Sequence, residues 1–444
     1  MRLTKLFFLT SVFVLMYAVG VSAQANTQWY SETESEFHIS EPQELEGFAQ
    51  LVNSGIDFNG KTVYLDSDID LDSYENWTPI GNSTEHYFTG EFNGNNHTIS
   101  NLHIKTADGY YNGLFGIILG GKITNLDLAD TDISITNINF VREDGYQLLA
   151  GGFAGMLCGE LMICENVSGK VEINCNAAEV NDSAAGLAGI TTNLDSDLYT
   201  AIRFCGNKAD VCGNVRCAGI TASYYTDSGI EYCYNKGNIT GTNGASAAGI
   251  TIDCWGSLYC NYNAGKISAD NVKCGITANI MDSGTVSNCI DYCPNDSTVI
   301  CAGTFTDIIY NSAGSMTVTK VGSSADYSLN AAAFDNMTSE EILSYINNDE
   351  SLLSYYILAL NCKYPVLWWE STYGGEKRYG DMDGDGNLSA RDVAYLLKYL
   401  GGLYTLNEEQ MLLADYDLSG TVNLLDVINL QNDERYYADS YLYN

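Results

Sequence analysis

The sequence predicts a mainly β protein: a right-handed parallel β-helix closed by helical and strand caps, followed by a small α-helical module. Three observations lead there. The composition favours turns and strands, a short unit recurs through the middle of the chain, and the last sixty or so residues change to a helical, acid-rich pattern. Of 444 residues 45% are apolar, enough for a sizeable core and for more than one domain. Gly reaches 43 and Tyr 32 while Pro stops at 4, the balance of a turn-rich β chain and not of a disordered one. With 56 acids against 20 bases the net charge is -36, which repels nucleic-acid phosphates and attracts divalent cations.

The first element is a short basic start at Arg2 and Lys5, then an apolar run, then small residues at Ala23 and Ala25. This is the pattern of a secretory signal peptide, assigned to residues 1–25, so the mature protein is expected to be exported, with no later membrane span. Ser40 then precedes "EPQELEGFAQLVNSG". Pro42 in a first turn, Gln43 completing a capping box with Ser40, Leu45, Phe48, Ala49 and Val52 on one face, and Gly55 as a stop predict an N-terminal capping helix over about 41–54.

Repeats fill 26–304. Of 14 Cys, five recur in one local pattern, "CENVSGKV" at Cys164, "CGNKADV" at Cys205, "CYNKGNI" at Cys233, "CNYNAGKI" at Cys260 and "CIDYC" at Cys289. A residue found once per unit is better explained as a small side chain stacked inside a solenoid than as half of a disulfide, and no CxxC pair supports a metal. A second ladder keeps step: "GLFGI" at Gly113, "GGFAGM" at Gly151, "GLAGI" at Gly186, "CAGI" at Cys217, "AAGI" at Ala247, "KCGI" at Lys273 and "CAGT" at Cys301. Gly and Ala there let coils approach closely, and Asn at the turns is expected to pair with Asn of the next coil. A solenoid needs both ends covered. Thr338 and Glu341 open "TSEEILSYINN", and "YPVLWW" from Tyr364 to Trp369 reads as a strand, together forming a C-terminal cap over 305–369. Gly374 and Gly375 mark a linker, 370–378.

The run from "ISEPQELEGFAQLVNSG" through "FTGEFNGNNHTISNLHI", "GLFG" and the Cys-x-Asn units, with its "YPVLWW" ending, resembles the GLUG-repeat proteins, exported bacterial β-helices. The resemblance implies the fold and supplies no catalytic residue.

The last module spans 379–437, before a tail at 438–444. "DMDGDGNLSARD" from Asp381 and "DYDLSGTVNLLD" from Asp415 set oxygen-bearing side chains at the spacing of a twelve-residue calcium loop, with Gly at the sixth place for the reversal. The expected ligands are Asp381, Asp383, Asp385, Asn387 by its carbonyl, Ser389 through water, and Asp392 in the first loop. In the second they are Asp415, Asp417, Ser419, Thr421 by its carbonyl, Asn423 and Asp426. Both loops close on Asp, no helix precedes the first, exit helices "VAYLLKYL" and "VINLQN" follow, and Thr405 caps a connecting helix "LNEEQMLLA". This arrangement resembles the dockerin module. The resemblance implies two Ca2+ ions and a cohesin partner on a scaffold protein of a cellulosome-type complex, outside the cell. It also implies cohesin-reading residues: Ala390, Arg391, Leu397 and Lys398 in one repeat, Leu424, Leu425, Gln431 and Asn432 in the other. The two sets differ, which disfavours docking in two orientations.

For the β-helix three readings compete: an enzyme on plant polysaccharide, a carbohydrate-binding module, or an adhesive or structural surface element. All four His precede the Cys-bearing repeats, which argues against a Ser/His/Asp or His-metal site there. Two carboxylates suffice for glycoside hydrolysis. A uronate lyase needs bases, and these are few, Arg203, Arg216 and Lys273 among them. After each small-residue rung, loops hold aromatics beside acids: Asp197 and Tyr199; Tyr224, Tyr225 and Asp227; Asp253 and Trp255; Asp282. Stacked on successive coils, these would hold sugar rings and their hydroxyls.

Overall fold

The computed structural model describes residues 24–143, 145–176, 179, 181–193, 198–225, 229–281, 284–287, 289–292, 298–300, 305–306, 309–310, 356–357, 366–371, 379–384, 388–416 and 421–432. Residues 1–23 of the expected 1–25 leader, the "TSEEILSYINN" segment and the Gly374–Gly375 linker lie outside them.

The repeats form a parallel β-helix. From Glu36–Ile39 to Ile309–Tyr310 the described strands pair in parallel with the coil before and the coil after. One inward column runs Phe37, Val63, Phe92, Ile123, Leu161, Ile202, Ile230, Leu258 and Val286, in unbroken register and buried throughout. A second sheet stacks Ile104, Ile133, Val171, Val211, Ile239 and Ile267. Each such side chain contributes about 1.5–3 kcal/mol on leaving water. Because the side-chain period is two, any slip by one residue would turn a whole column outward.

The N-terminal cap is α1, Pro42–Asn53, which buries Leu45, Phe48, Ala49 and Val52. Phe48 meets Phe58 edge-on at 4.8 Å and stacks on Phe92 at 5.8 Å, closing the open end of the first coils. The expected capping pair is corrected. The cap residue is Glu41, and the Glu44 carboxylate accepts from the N–H groups of Ser40 at 2.9 Å and Glu41 at 3.3 Å. Pro42 starts the helix, so the third helical position is Glu44, and Gln43 stands one place early.

The Asn ladder is continuous. Asn207, Asn235, Asn263 and Asp291 stand in register, all buried. Asn207 Nδ2 donates to Asn235 Oδ1 at 2.8 Å, Asn235 to Asn263 at 2.8 Å, and Asn263 to Asp291 at 2.9 Å. Against it lies the Gly ladder: a Cβ on Gly219 would come 2.0 Å from the Gly249 carbonyl oxygen and 2.4 Å from Asn235. Only Gly fits that place.

The described Cys are free thiols, ten buried and Cys212 half-buried. Burial pushes the thiols of Cys164 and Cys205 far up, so they stay protonated. The expected Cys ladder needs one correction. The column is Cys164, Cys205, Cys233, Asn261 and Cys289, because Tyr234 pairs with Tyr262 and Tyr262 with Ile290. Cys260 stands one place early, at a left-handed corner with φ +51° that Asn125, Ile163, Phe204 and Tyr232 occupy on the preceding coils. Asn261 keeps the column closed, accepting from Cys233 N–H at 2.8 Å and donating to the Ile230 carbonyl at 2.7 Å.

The "YPVLWW" strand is shorter than expected. Val366–Leu367 pairs antiparallel with Tyr356–Ile357, and Trp368–Ser371 turns into a 3-10 helix. The turn seats two side chains on the coils. Trp369 stacks on Tyr234 at 5.6 Å and donates to the Tyr232 carbonyl at 2.7 Å. The buried Glu370 carboxylate takes Lys236 at 2.7 Å, the Tyr262 hydroxyl at 2.8 Å and the Leu367 N–H at 2.8 Å. Among the described residues no helix is long and apolar enough to cross a membrane.

Candidate metal centre and docking face

Among the described residues three helices build the C-terminal module: α2, Ala390–Leu400; α3, Glu408–Ala414; and α4, Leu424–Asn432. Their core is Met382, Leu388, Val393, Leu396, Leu406, Leu413, Ala414, Val427 and Leu430. Gln410 Nε2 donates to the Met382 carbonyl at 2.8 Å and Gly380 N–H to Leu413 at 2.8 Å, fastening the first loop to α3. The expected Thr405 cap is corrected to Asn407, whose Oδ1 accepts from Gln410 N–H at 2.7 Å.

The first loop gathers charge. Carboxylate oxygens of Asp381, Asp383 and Asp392 lie within 4.8 Å of one another. Asp381 and Asp392 are buried. Asp381 Oδ1 accepts from Gly384 N–H at 2.9 Å, which fixes its side chain against the turn. Asp392 has two tasks. Its Oδ1 accepts from Met382 N–H at 2.8 Å and Asp383 N–H at 3.3 Å, while its Oδ2 accepts from Ser389 N–H at 2.8 Å and Ser389 Oγ at 3.0 Å. Ser389 in turn caps α2 through Arg391 N–H at 3.2 Å. The closing residue is thus also the far half of a capping box, a reach of three residues that Asp spans with a short arm. Burial, then the charge of Asp383, raises the Asp392 carboxyl above its ordinary range, against the pull of the Met382 and Ser389 hydrogen bonds. Desolvated acids converging in this way fit a hard divalent cation, and Asp381, Asp383 and Asp392 would hold it. Asp385 and Asn387 lie outside the described residues.

The second loop repeats the frame. Asp426 is buried and accepts from Asn423 N–H at 2.6 Å, while Asn423 Oδ1 takes Leu425 N–H at 2.8 Å and its Nδ2 donates to the Thr421 carbonyl at 2.9 Å. Asp415 caps the end of α3. Asp417 and Ser419 lie outside the described residues.

Ala390, Arg391, Leu424 and Leu425, expected at loop places, stand on the first turns of α2 and α4, and all four are exposed. Leu424 and Leu425 keep 58% and 57% of their surface in water, and Ile428 on the same helix 42%. On the other side Leu397 is 47% exposed, with Lys398 beside it and Leu400 and Leu403 continuing the apolar strip. Gln431 is exposed; nothing is described of the Asn432 side chain. Ile428 and Leu400 escaped the sequence reading, although their spacing from Leu424 and Leu397 on a helical repeat signals a shared face; Leu403 lies past the end of α2.

On the β-helix the loop residues separate. Tyr224 is fully buried in the core and in register with Cys254, so it cannot face a ligand. Asp253 is engaged by Arg216 and by Asn279 Nδ2 at 2.7 Å. Tyr199 and Tyr225 are exposed, and Tyr225 lies 6.1 Å from Trp255. Asp197, Asp227 and Asp282 lie outside the described residues. Arg203 and Glu231, which the sequence reading did not join, pair at 3.0 Å across adjacent coils. The spacing of 28 residues between Cys205 and Cys233 predicts their register.

Residues 379–433 match the family described as Dockerin type I domain. This segment is a dockerin type I domain, a calcium-binding module. The chain is 28% identical over 174 residues to a "Putative Gly-rich membrane protein" of Evansella cellulosilytica, which covers 37% of the chain and 18% of that protein. It is 32% identical over 107 residues to "Halomucin" of Haloquadratum walsbyi, covering 22% of the chain and 1% of that protein. The chain therefore spans less than a fifth of either relative. A crystal structure of a "putative immunoglobulin A1 protease" from Bacteroides ovatus superposes with a TM-score of 0.46 at 16% identity, over 76% of this chain and 94% of that one.

Proposed function

We propose that the protein is an exported component of a cellulosome-type complex. Its dockerin plugs into a scaffold cohesin when two calcium ions are bound, and its β-helix is the displayed cargo, which binds or acts on plant polysaccharide. The convergence of Asp381, Asp383 and Asp392 within a segment matching the dockerin family supports the first part. Calcium draws the loops together and seats α2 and α4, whose outward residues are the docking surface. Both sides expose apolar residues, but on α4 Leu424 and Leu425 stand on the first turn, where α2 has Ala390 and Arg391, so docking through the first turn of α4 is favoured.

The test is a pull-down of the mature chain on scaffold cohesins in millimolar calcium and again in EDTA. Binding in calcium that is lost in EDTA is expected. Leu424→Asp with Leu425→Asp should abolish it, while changes at Ala390 and Arg391 should matter less. Retention on every cohesin in EDTA, or on none in calcium, overturns the reading. The aromatic positions Tyr199, Tyr225 and Trp255 support the polysaccharide part, which binding to plant cell-wall fractions tests separately. A β-helix that binds no polysaccharide, while its dockerin docks, would favour the adhesive or structural alternative.

A further inference from the structure

The sheet face that carries Arg203 also carries a particular pattern of rings and charges. Met162, Arg203, Glu231 and Tyr259 form one outward column in register. Along one edge stand Tyr199, Tyr225 and Trp255 from three successive coils, with Tyr225 and Trp255 6.1 Å apart. Along the other, at the left-handed corner, Phe204 and Tyr232 stack at 5.0 Å and Tyr232 meets Tyr259 edge-on at 5.7 Å, but Trp369 of the C-terminal cap meets Phe204 edge-on at 6.4 Å, which leaves the first edge for a ligand. Coils rise by about 4.8 Å each. That is close to the advance of one pyranose in an extended β-linked chain, so a glycan lying along the helix axis meets one ring-bearing rung per sugar.

Each cation named on this face stands beside at least one carboxylate. Arg203 is taken by Glu231 at 3.0 Å, stacks on Tyr199 at 5.3 Å and donates to the Tyr199 hydroxyl. Arg216, at the edge, is taken by Asp253. In the neighbouring column Lys122 stands in register between Glu91 and Glu160. A uronate carboxylate would therefore have to displace a resident carboxylate from each arginine, in a molecule of net charge -36. Hydroxyls have no such difficulty. They donate to Glu231 and accept from Arg203 while the pair stays closed, and sugar faces cover the rings.

We propose that this face binds a neutral, extended β-linked polysaccharide along the helix axis, with Tyr199, Tyr225 and Trp255 as its stacking rail and the Arg203–Glu231 pair reading hydroxyls. The inference rests on the polysaccharide reading above and narrows it to uncharged chains.

The test is calorimetry of the mature chain with xylohexaose, cellohexaose and hexagalacturonate, in calcium and again in EDTA because calcium bridges uronates. Binding of at least one neutral oligomer is expected, unchanged in EDTA and between ~0.01 M and ~0.15 M ionic strength. Tyr225→Ala and Trp255→Ala should each weaken it roughly 3- to 10-fold, the size of one lost ring contact. Glu231→Gln, which frees Arg203, should confer salt-sensitive hexagalacturonate binding that the wild type lacks. Circular dichroism identical to wild type certifies each variant as folded. Wild-type preference for hexagalacturonate keeps the polysaccharide reading and overturns the inference. Binding of none of the three overturns the inference, and absence of binding to any cell-wall fraction then removes the broader reading too.

Discussion

Replacing Asp392 by Ala is the sharpest perturbation of the calcium loop, because the side chain serves both the ion and the protein. Its carboxylate satisfies two well-formed backbone donors, Met382 N–H and Ser389 N–H, each at 2.8 Å, in a buried position. Each donor left unpaired costs about 1–3 kcal/mol, so the loop loses about 2–6 kcal/mol before the missing ligand is counted. Calcium binding and loop folding are one equilibrium in a module of this kind. At about 1.4 kcal/mol per decade the penalty appears as a weakening of apparent affinity by roughly 30-fold to 10^4-fold. Asp392→Asn keeps one acceptor oxygen and turns an NH2 group against a donor, so it should fall toward the weaker end. Calorimetric titration of the mature chain should give about two sites for wild type and about one for Asp392→Ala. An unchanged stoichiometry, with the midpoint within about threefold of wild type, would refute the dual role.

Four further outcomes are expected. Calcium uptake should release protons as solutions are acidified, and affinity should begin to fall at a higher pH than an ordinary carboxylate would cause, since burial raises Asp392 and the ion takes only the anion; heats measured in two buffers of different ionisation enthalpy report it. On the β-helix, burial raises Asp127 from 3.8 to about 6, so the folded state holds the proton more tightly than the unfolded one. The contribution of Asp127 to stability should therefore be fully present below pH ~4 and be lost through pH ~6, about 1–2 kcal/mol after allowance for its partial exposure, and Asp127→Asn should remove that component of the pH dependence in urea denaturation. Lys236→Met should cost about 3–5 kcal/mol by leaving the buried Glu370 without its cation, and adding Glu370→Gln should recover much of it; additive losses would count against the pair. Asn235→Ala should cost about 2–5 kcal/mol, because the Gly237 carbonyl and Asn263 Oδ1 lose their donor, and Asn235→Asp should be no milder; a loss under about 0.5 kcal/mol would show the ladder to be idle.

The fold was legible where one residue type does one job in every coil. Gly219 and Gly249 have to be Gly because the next coil's carbonyl lies where a Cβ would sit, so the ladder is written in the letters themselves. The calcium loop was legible for the same reason, since ligand chemistry and the turn allow few substitutes. The cap positions were not. Ser40, Glu41, Gln43 and Glu44 can each enter a capping box, and which pair does so depends on where Pro42 begins the helix. The Arg203–Glu231 pair could be read only through the coil register, since the two are 28 residues apart, the interval that Cys205 and Cys233 also keep.

Cys260 shows why spacing alone misleads within a solenoid. Its gap from Cys233 is 27 residues, one short of the 28 that separates Cys205 from Cys233, and a one-residue difference in a strand of period two changes the side a residue faces. The coil resolves this by moving Cys260 onto the corner, at φ +51°, and by placing Asn261 in the thiol column. An amide between two thiols is tolerated because it is satisfied by the backbone of the coil before, at Cys233 N–H and the Ile230 carbonyl. The Asn is therefore a splint across a place where the Cys pattern breaks. Asn261→Cys, which makes the column uniform, should then destabilise the protein by about 1–3 kcal/mol, since a thiol cannot replace both hydrogen bonds. A gain in stability would mean that packing, and not backbone satisfaction, governs the column.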